Sequence, residues 1–127
     1  MPIPPRLESE LVELQKALAI EVVEEPTIIN LIFRQFRLGD GFNVPASDLL
    51  IRAPRTYPDA GPDMFWVEEN VRLSTGAVPQ SAESVEEHVG RRWRRFSWHW
   101  KNGRWDPNTD NMHAYVEFIR RRLREKR

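Results

Sequence analysis

The chain has no cysteine, which excludes disulfides, thiolate metal sites and thiol nucleophiles. Its three histidines, His88, His99 and His113, are scattered and cannot form a metal cluster without carboxylate help, so neither a metal nor another cofactor is expected. No apolar run approaches the roughly 20 residues that a membrane-crossing helix needs. The opening MPIPPRLESE lacks the basic-then-apolar pattern of a secretory leader. These absences lead to the expectation of a cytoplasmic protein without a membrane partner. What remains is a chain of 127 residues, 40% hydrophobic and 30% charged, the size and balance of one soluble domain over 1–127 with a modest core.

The formal net charge of zero hides an asymmetry. Residues 1–87 carry 7 Lys+Arg against 15 Asp+Glu, and residues 88–127 carry 12 against 4. Part of this imbalance is expected to be internal complementarity, with the basic end lying over an acidic scaffold. The remainder suits a basic surface that steers an acidic partner.

Met1–Pro5 holds three prolines and reads as an extended lead-in. Leu7, Leu11, Leu14 and Leu18 then fall on one stripe at helical spacing, predicting an amphipathic helix over 6–18. Ala19–Glu24 is short and β-branched and ends before Pro26. Thr27–Leu38, with Ile29, Leu31 and Phe33 alternating, is the richest strand candidate. Gly39-Asp40-Gly41 signals a turn, Ser47–Ala53 reads as a further strand, and Met64–Val67 as a short one after the proline-rich YPDAGPD connection. Residues 68–90 read as a loop, with a short helix over 82–89. Trp93–Trp100 is a strand or extended segment. Beyond a turn at 103–107, Thr109 or Asp110 is expected to cap a last helix. Met112, Tyr115, Val116, Ile119 and Leu123 make its apolar face, and arginines load its final turns as the helix dipole favours. The predicted class is α+β: helix, antiparallel four-strand meander, long loop, helix.

Several short motifs occur in a telling order. Tyr57-Pro58 precedes Pro62-Asp63-Met64-Phe65; Phe96-Ser97-Trp98 follows about thirty residues later; Trp105-Asp106-Pro107 and a helix from Asp110 to Arg124 close the run. This arrangement resembles the ubiquitin-conjugating superfamily, in particular its compact bacterial relatives, over nearly the whole chain. The resemblance matches Tyr57-Pro58 to the superfamily's tyrosine-proline turn, Ser97 to its nucleophilic cysteine, and Trp105-Asp106-Pro107 to its tryptophan-serine-proline. It implies a ubiquitin-conjugating-type fold and acyl transfer. It further implies a ubiquitin-like modifier received from an ATP-dependent activating enzyme, and a deconjugating metalloprotease in the same pathway. Asp106, Asn108 and Asp110 stand where relatives often carry an acidic gate for the incoming lysine, although an N-cap explains Asp110 and a turn explains Asn108 equally well.

Three departures accompany the resemblance. The nucleophile position holds serine. The histidine-proline-asparagine element that stabilises the oxyanion is absent, with His88-Val89-Gly90 in its region. Two further helices do not follow the last one, which leads to the expectation that a partner covers some surface. A thiol has a pKa near 8.5 and forms a thioester that amines attack readily. A hydroxyl is several units less acidic, needs an adjacent base, and forms an ester that resists aminolysis. If 96–100 is extended, Ser97 and His99 share a face about 7 Å apart, and a histidine is the natural base for a serine at neutral pH. Three readings of Ser97 stay open: a slow oxyester carrier, a serine standing for cysteine in a trapped form, and a lost active site.

The lost-site reading makes the protein a non-catalytic module that binds a ubiquitin-like protein or its activating enzyme. A nucleic-acid reading starts from RRWRR, Arg91, Arg92, Arg94 and Arg95 around Trp93. The acidic N-terminal portion and pI of about 6.8 oppose it, and no nucleic-acid partner is expected. An acidic face on the activating enzyme or modifier is the better use for those arginines. His88 as a substitute oxyanion donor ranks below a surface histidine.

Overall fold

A computed structural model describes residues 2–127. Helix α1 (Pro5–Leu14) starts with proline in its first turn, where a missing N–H costs nothing. Its Leu7, Leu11 and Leu14 are buried, each worth about 2 kcal/mol; a ten-residue helix needs that burial to exist at all. The helix ends four residues before the expected 18, and Leu18 reaches the core from a turn instead.

Six strands follow: β1 (Ile20–Glu24), β2 (Ile28–Arg37), β3 (Ala46–Pro54), β4 (Phe65–Glu68), β5 (Val85–His88) and β6 (Arg91–Phe96). They form one antiparallel sheet in the order β1-β2-β3-β4-β6-β5. The expected α+β class holds, but the four-strand meander is corrected to six strands. The span expected to contain a short helix is instead the edge hairpin β5–β6. Its register sets Glu87 opposite Arg92 and Glu86 opposite Trp93, with Val85 opposite Arg94, and Glu86 reaches Arg95 at 2.6 Å, so charged residues stand where the apolar alternation of a strand is expected. Val89 and Gly90 make the two-residue turn with φ of 47° and 76°, the left-handed geometry that tight hairpins require. Glycine adopts it freely; Val89 does so while packed against the Ile32, Leu50, Trp66 and Trp93 cluster.

The alternating Ile29, Leu31 and Phe33 join Leu49, Ile51, Phe65, Val67 and Phe96 in the main core with α1 and α2 (Met112–Arg124). The cap of α2 is Asn111, whose side-chain oxygen accepts from the Ala114 N–H at 2.8 Å; neither Thr109 nor Asp110 takes that place. Its apolar face is the predicted one, with Met112, Tyr115, Val116, Ile119 and Leu123 all buried. Arg122 is buried as well, its guanidinium 5.1 Å from the Phe96 ring and 4.7 Å from the Trp98 ring, so this arginine belongs to the packing rather than to a solvated helix end. Among the described residues no helix is long and apolar enough to cross a membrane.

Candidate functional site

Strand β6 delivers the site. Its last residue, Phe96, pairs with Phe65 at the start of β4, and the two rings stack at 4.6 Å between centroids. The chain then bends: the Trp98 N–H donates to the Phe96 carbonyl at 2.9 Å, a three-residue turn centred on Ser97. The extended geometry that would align Ser97 with His99 is therefore interrupted between them. Ser97 is half-buried, and its own N–H donates to the Ser81 carbonyl at 2.8 Å. Its hydroxyl oxygen accepts from Arg95 Nε at 3.0 Å. A guanidinium N–H at that oxygen stabilises negative charge developing on it, and the hydroxyl proton remains available for donation.

His99 is exposed, and its Nδ1 lies 2.9 Å and 3.0 Å from the two carboxylate oxygens of Asp63. Ser97 and His99 thus each hold a different charged neighbour, Arg95 and Asp63. In the sequence Arg95 reads as part of a partner-facing RRWRR and Asp63 as part of the PDMF motif, neither as a neighbour of Ser97 or His99. Asp63 lies 36 residues before His99 and meets it only because β4 and β6 are adjacent.

The tyrosine-proline turn and the tryptophan-proline turn lock together. The Trp105 Nε1 donates to the Pro58 carbonyl at 2.9 Å, and its ring lies 5.6 Å from that of Tyr57 and 5.9 Å from that of Trp100. Gly61 permits this approach, since a Cβ there would fall 2.0 Å from Trp105 Cδ2. Tyr57 donates its hydroxyl proton to Glu10 on α1, and the same carboxylate accepts from the Met112 N–H at the start of α2. Burial, then that carboxylate, pushes the Tyr57 hydroxyl well above its ordinary value. Between the turns opens a cleft of about 310 Å³ lined by Asp59, Gly61, Asp63, Trp100, Arg104 and Trp105. A second depression, of about 370 Å³, runs along Trp98, Trp100, Phe118 and Arg121. Trp100 borders both.

Of the two aspartates in the predicted acidic gate, Asp106 is exposed and accepts from the Asn108 N–H at 2.9 Å. Asp110 is only 2% exposed. Its carboxylate accepts from Trp100 Nε1 at 3.0 Å, Lys101 Nζ at 2.7 Å and the Asp106 N–H at 2.8 Å. Burial alone would raise its pKa, but these donors outweigh it and hold the group at about 2. Asp110 fixes the loop, and of the pair only Asp106 meets solvent freely.

The RRWRR arginines are largely used at home. Arg91 contacts Asp48 at 3.0 Å and stacks over Trp93 at 4.3 Å. Arg94, 5% exposed, donates to the carbonyls of Glu69 and Ala82. Arg95 pairs with Glu86 at 2.6 Å besides reaching Ser97. Arg92, paired with Glu69 at 3.0 Å and 65% exposed at its side chain, is the most accessible of the four. His88 contacts Glu86 at 3.0 Å and pairs with Arg91 at the far end of β6. At about 3.3 Å per residue that end lies roughly 20 Å from Ser97, too far for an oxyanion donor.

The family model of the prokaryotic E2 family E matches residues 8–126. The chain belongs to this family. Membership gives it a ubiquitin-conjugating-like role at the level of the family, with a ubiquitin-like modifier and its activating enzyme as the implied partners. No curated protein and no solved structure matches the chain.

Proposed function

We propose that this protein accepts a ubiquitin-like modifier from an ATP-dependent activating enzyme and holds it as an oxyester on Ser97 before transfer to a target amine. The observation that carries this reading is the position of the Ser97 hydroxyl: half-buried at the exit of β6, one residue from a segment bordered by two depressions, with the Arg95 Nε–H on its oxygen. In the loading step the Ser97 oxygen attacks the modifier's C-terminal carbonyl, held as a thioester on the activating enzyme. The thiolate leaves, the ester C–O bond forms, and the serine proton departs through solvent to His99 Nε2, because the turn at Ser97 keeps the two side chains out of direct contact. The Arg95 N–H stabilises charge on the serine oxygen as the proton departs. In the second step an amine attacks the ester carbonyl and the proton returns to Ser97. Asp106, exposed at the tryptophan-proline turn, orients that amine, and Arg92 engages an acidic face of the activating enzyme.

The test is incubation with activating enzyme, modifier and ATP. An oxyester adduct survives reductant, is cleaved by hydroxylamine and disappears in Ser97→Ala. Ser97→Cys should give a reductant-labile adduct instead. A second reading is favoured by one observation: no thiol exists anywhere in the chain. In that reading the protein is a non-catalytic adaptor that binds the modifier or the activating enzyme. Complex formation without any adduct, in wild type and in Ser97→Cys alike, would select it.

A further inference from the structure

We propose that Asp63 is a positioning residue that fixes the tautomer of His99, and that the Asp63–His99 pair is the proton-accepting unit beside the cleft. The proposal rests on the acyl-transfer reading above and adds a residue to it. A neutral imidazole carries its proton on one nitrogen and accepts on the other. With both Asp63 oxygens within 3.0 Å of Nδ1, the proton belongs on Nδ1, and Nε2 is left as the accepting atom. The opposite tautomer would set the Nδ1 lone pair against a carboxylate.

Backbone geometry holds the pair. Asp63 lies two residues before Phe65 and His99 three after Phe96, and Phe65 and Phe96 are register partners with stacked rings. Met64, at a left-handed φ of 61°, and the turn at Ser97 bend the two flanking segments off the sheet. The Met64 carbonyl is in turn held by the Tyr115 hydroxyl at 2.6 Å, which ties this corner to α2. Asp63 itself lines the cleft with Asp59, Arg104 and Trp105. The pair is a poor stability device: the two side chains are 53% and 47% exposed, and ion pairs at such exposure contribute little. Removing Asp63 therefore leaves a folded protein in which its effect on His99 can be read directly.

The experiment combines nitrogen-15 NMR of the His99 ring, assigned by the loss of its signals in His99→Gln, with charging kinetics. Spectra are taken roughly two units above the ordinary histidine pKa, near pH 8.5. In wild type, Nδ1 should carry the proton. Asp63→Ala should move it toward Nε2 and slow Ser97 charging about tenfold or more. Asp63→Asn, whose amide oxygen still accepts from Nδ1–H, should retain much of both. An unchanged tautomer in Asp63→Ala overturns the proposal, as does unchanged charging with a shifted tautomer. The absence of any wild-type adduct is a separate failure, which overturns the carrier reading and the positioning role with it.

Discussion

Residues 97–99 and residues 100–110 leave the same strand in succession, yet they are held in contrasting ways. In the longer stretch, Asp110 gathers an indole, an ammonium and a backbone N–H, and Trp100 and Trp105 pack on Tyr57, Tyr115 and Phe118. In the shorter one only Trp98 joins the packing, under Arg122, while the Ser97 oxygen has a single arginine N–H and His99 rests on one exposed carboxylate. The lesson is a division of labour. Buried aromatic contacts and charge-assisted bonds build a stiff frame, and the candidate reactive groups sit at its rim, where exchanging a partner costs little.

This contrast can be broken at either end. The largest expected effect is Trp100→Ala, which removes a buried indole from three ring contacts, the Lys101 cation–π contact and the Asp110 hydrogen bond and should cost about 3–5 kcal/mol, read from the urea midpoint. A loss under about 1 kcal/mol would mean that the frame does not depend on this stack. Asp110→Asn should cost about 2 kcal/mol by weakening the charge-assisted bonds to Trp100, Lys101 and Asp106. It should also change the acid response. Because the folded Asp110 carboxyl sits at about 2 against an ordinary 3.8, the native state binds fewer protons than the unfolded chain between these values. The stability it contributes is present above about pH 4 and lost as the pH falls toward 2; Asp110→Asn should flatten the stability–pH slope in that window, and an unaltered slope would contradict the assignment.

At the rim, Ser97→Ala and Asp63→Ala should each change stability by no more than about 0.5 kcal/mol, while Ser97→Ala eliminates the adduct. A thermal melt beside a charging assay separates the two effects. The smallest expected change is that of Arg92→Gln, which removes the charge without setting a second carboxylate against Glu69. It should leave the melt untouched and slow charging at low salt, with the difference shrinking as salt rises. Arg91→Glu is a poorer probe because it would set a second carboxylate against Asp48, with which Arg91 pairs at 3.0 Å.

Much of the frame was legible in the residues. The leucine stripe of α1 as far as Leu14, the alternation of Ile29, Leu31 and Phe33 in β2 and the apolar face of α2 are periodic signals that the fold keeps. The tyrosine-proline and tryptophan-proline turns had only their order in the chain; their contact through Trp105 and Pro58 emerged with the fold. The β5 strand was hidden because VEEH carries no apolar alternation and is held by its pairing with β6 and the Arg95–Glu86 contact, a tertiary effect that local propensity does not encode. The helix cap moved to Asn111 because Asp110 was drawn into the Trp100–Lys101 cluster. At the site, Ser97 was marked by its neighbours in sequence. The Arg95 bond and the Asp63 contact depend on the turn after Phe96 and on the pairing of β4 with β6, neither of which spacing reveals.

The most direct measurement is mass spectrometry of the intact protein after incubation with activating enzyme, ubiquitin-like modifier and ATP, under reducing conditions. Acyl transfer through the serine predicts one added modifier, attached at Ser97, released by hydroxylamine and missing from Ser97→Ala. An unmodified mass for wild type, with Ser97→Cys equally unmodified while the activating enzyme itself is loaded, would contradict it.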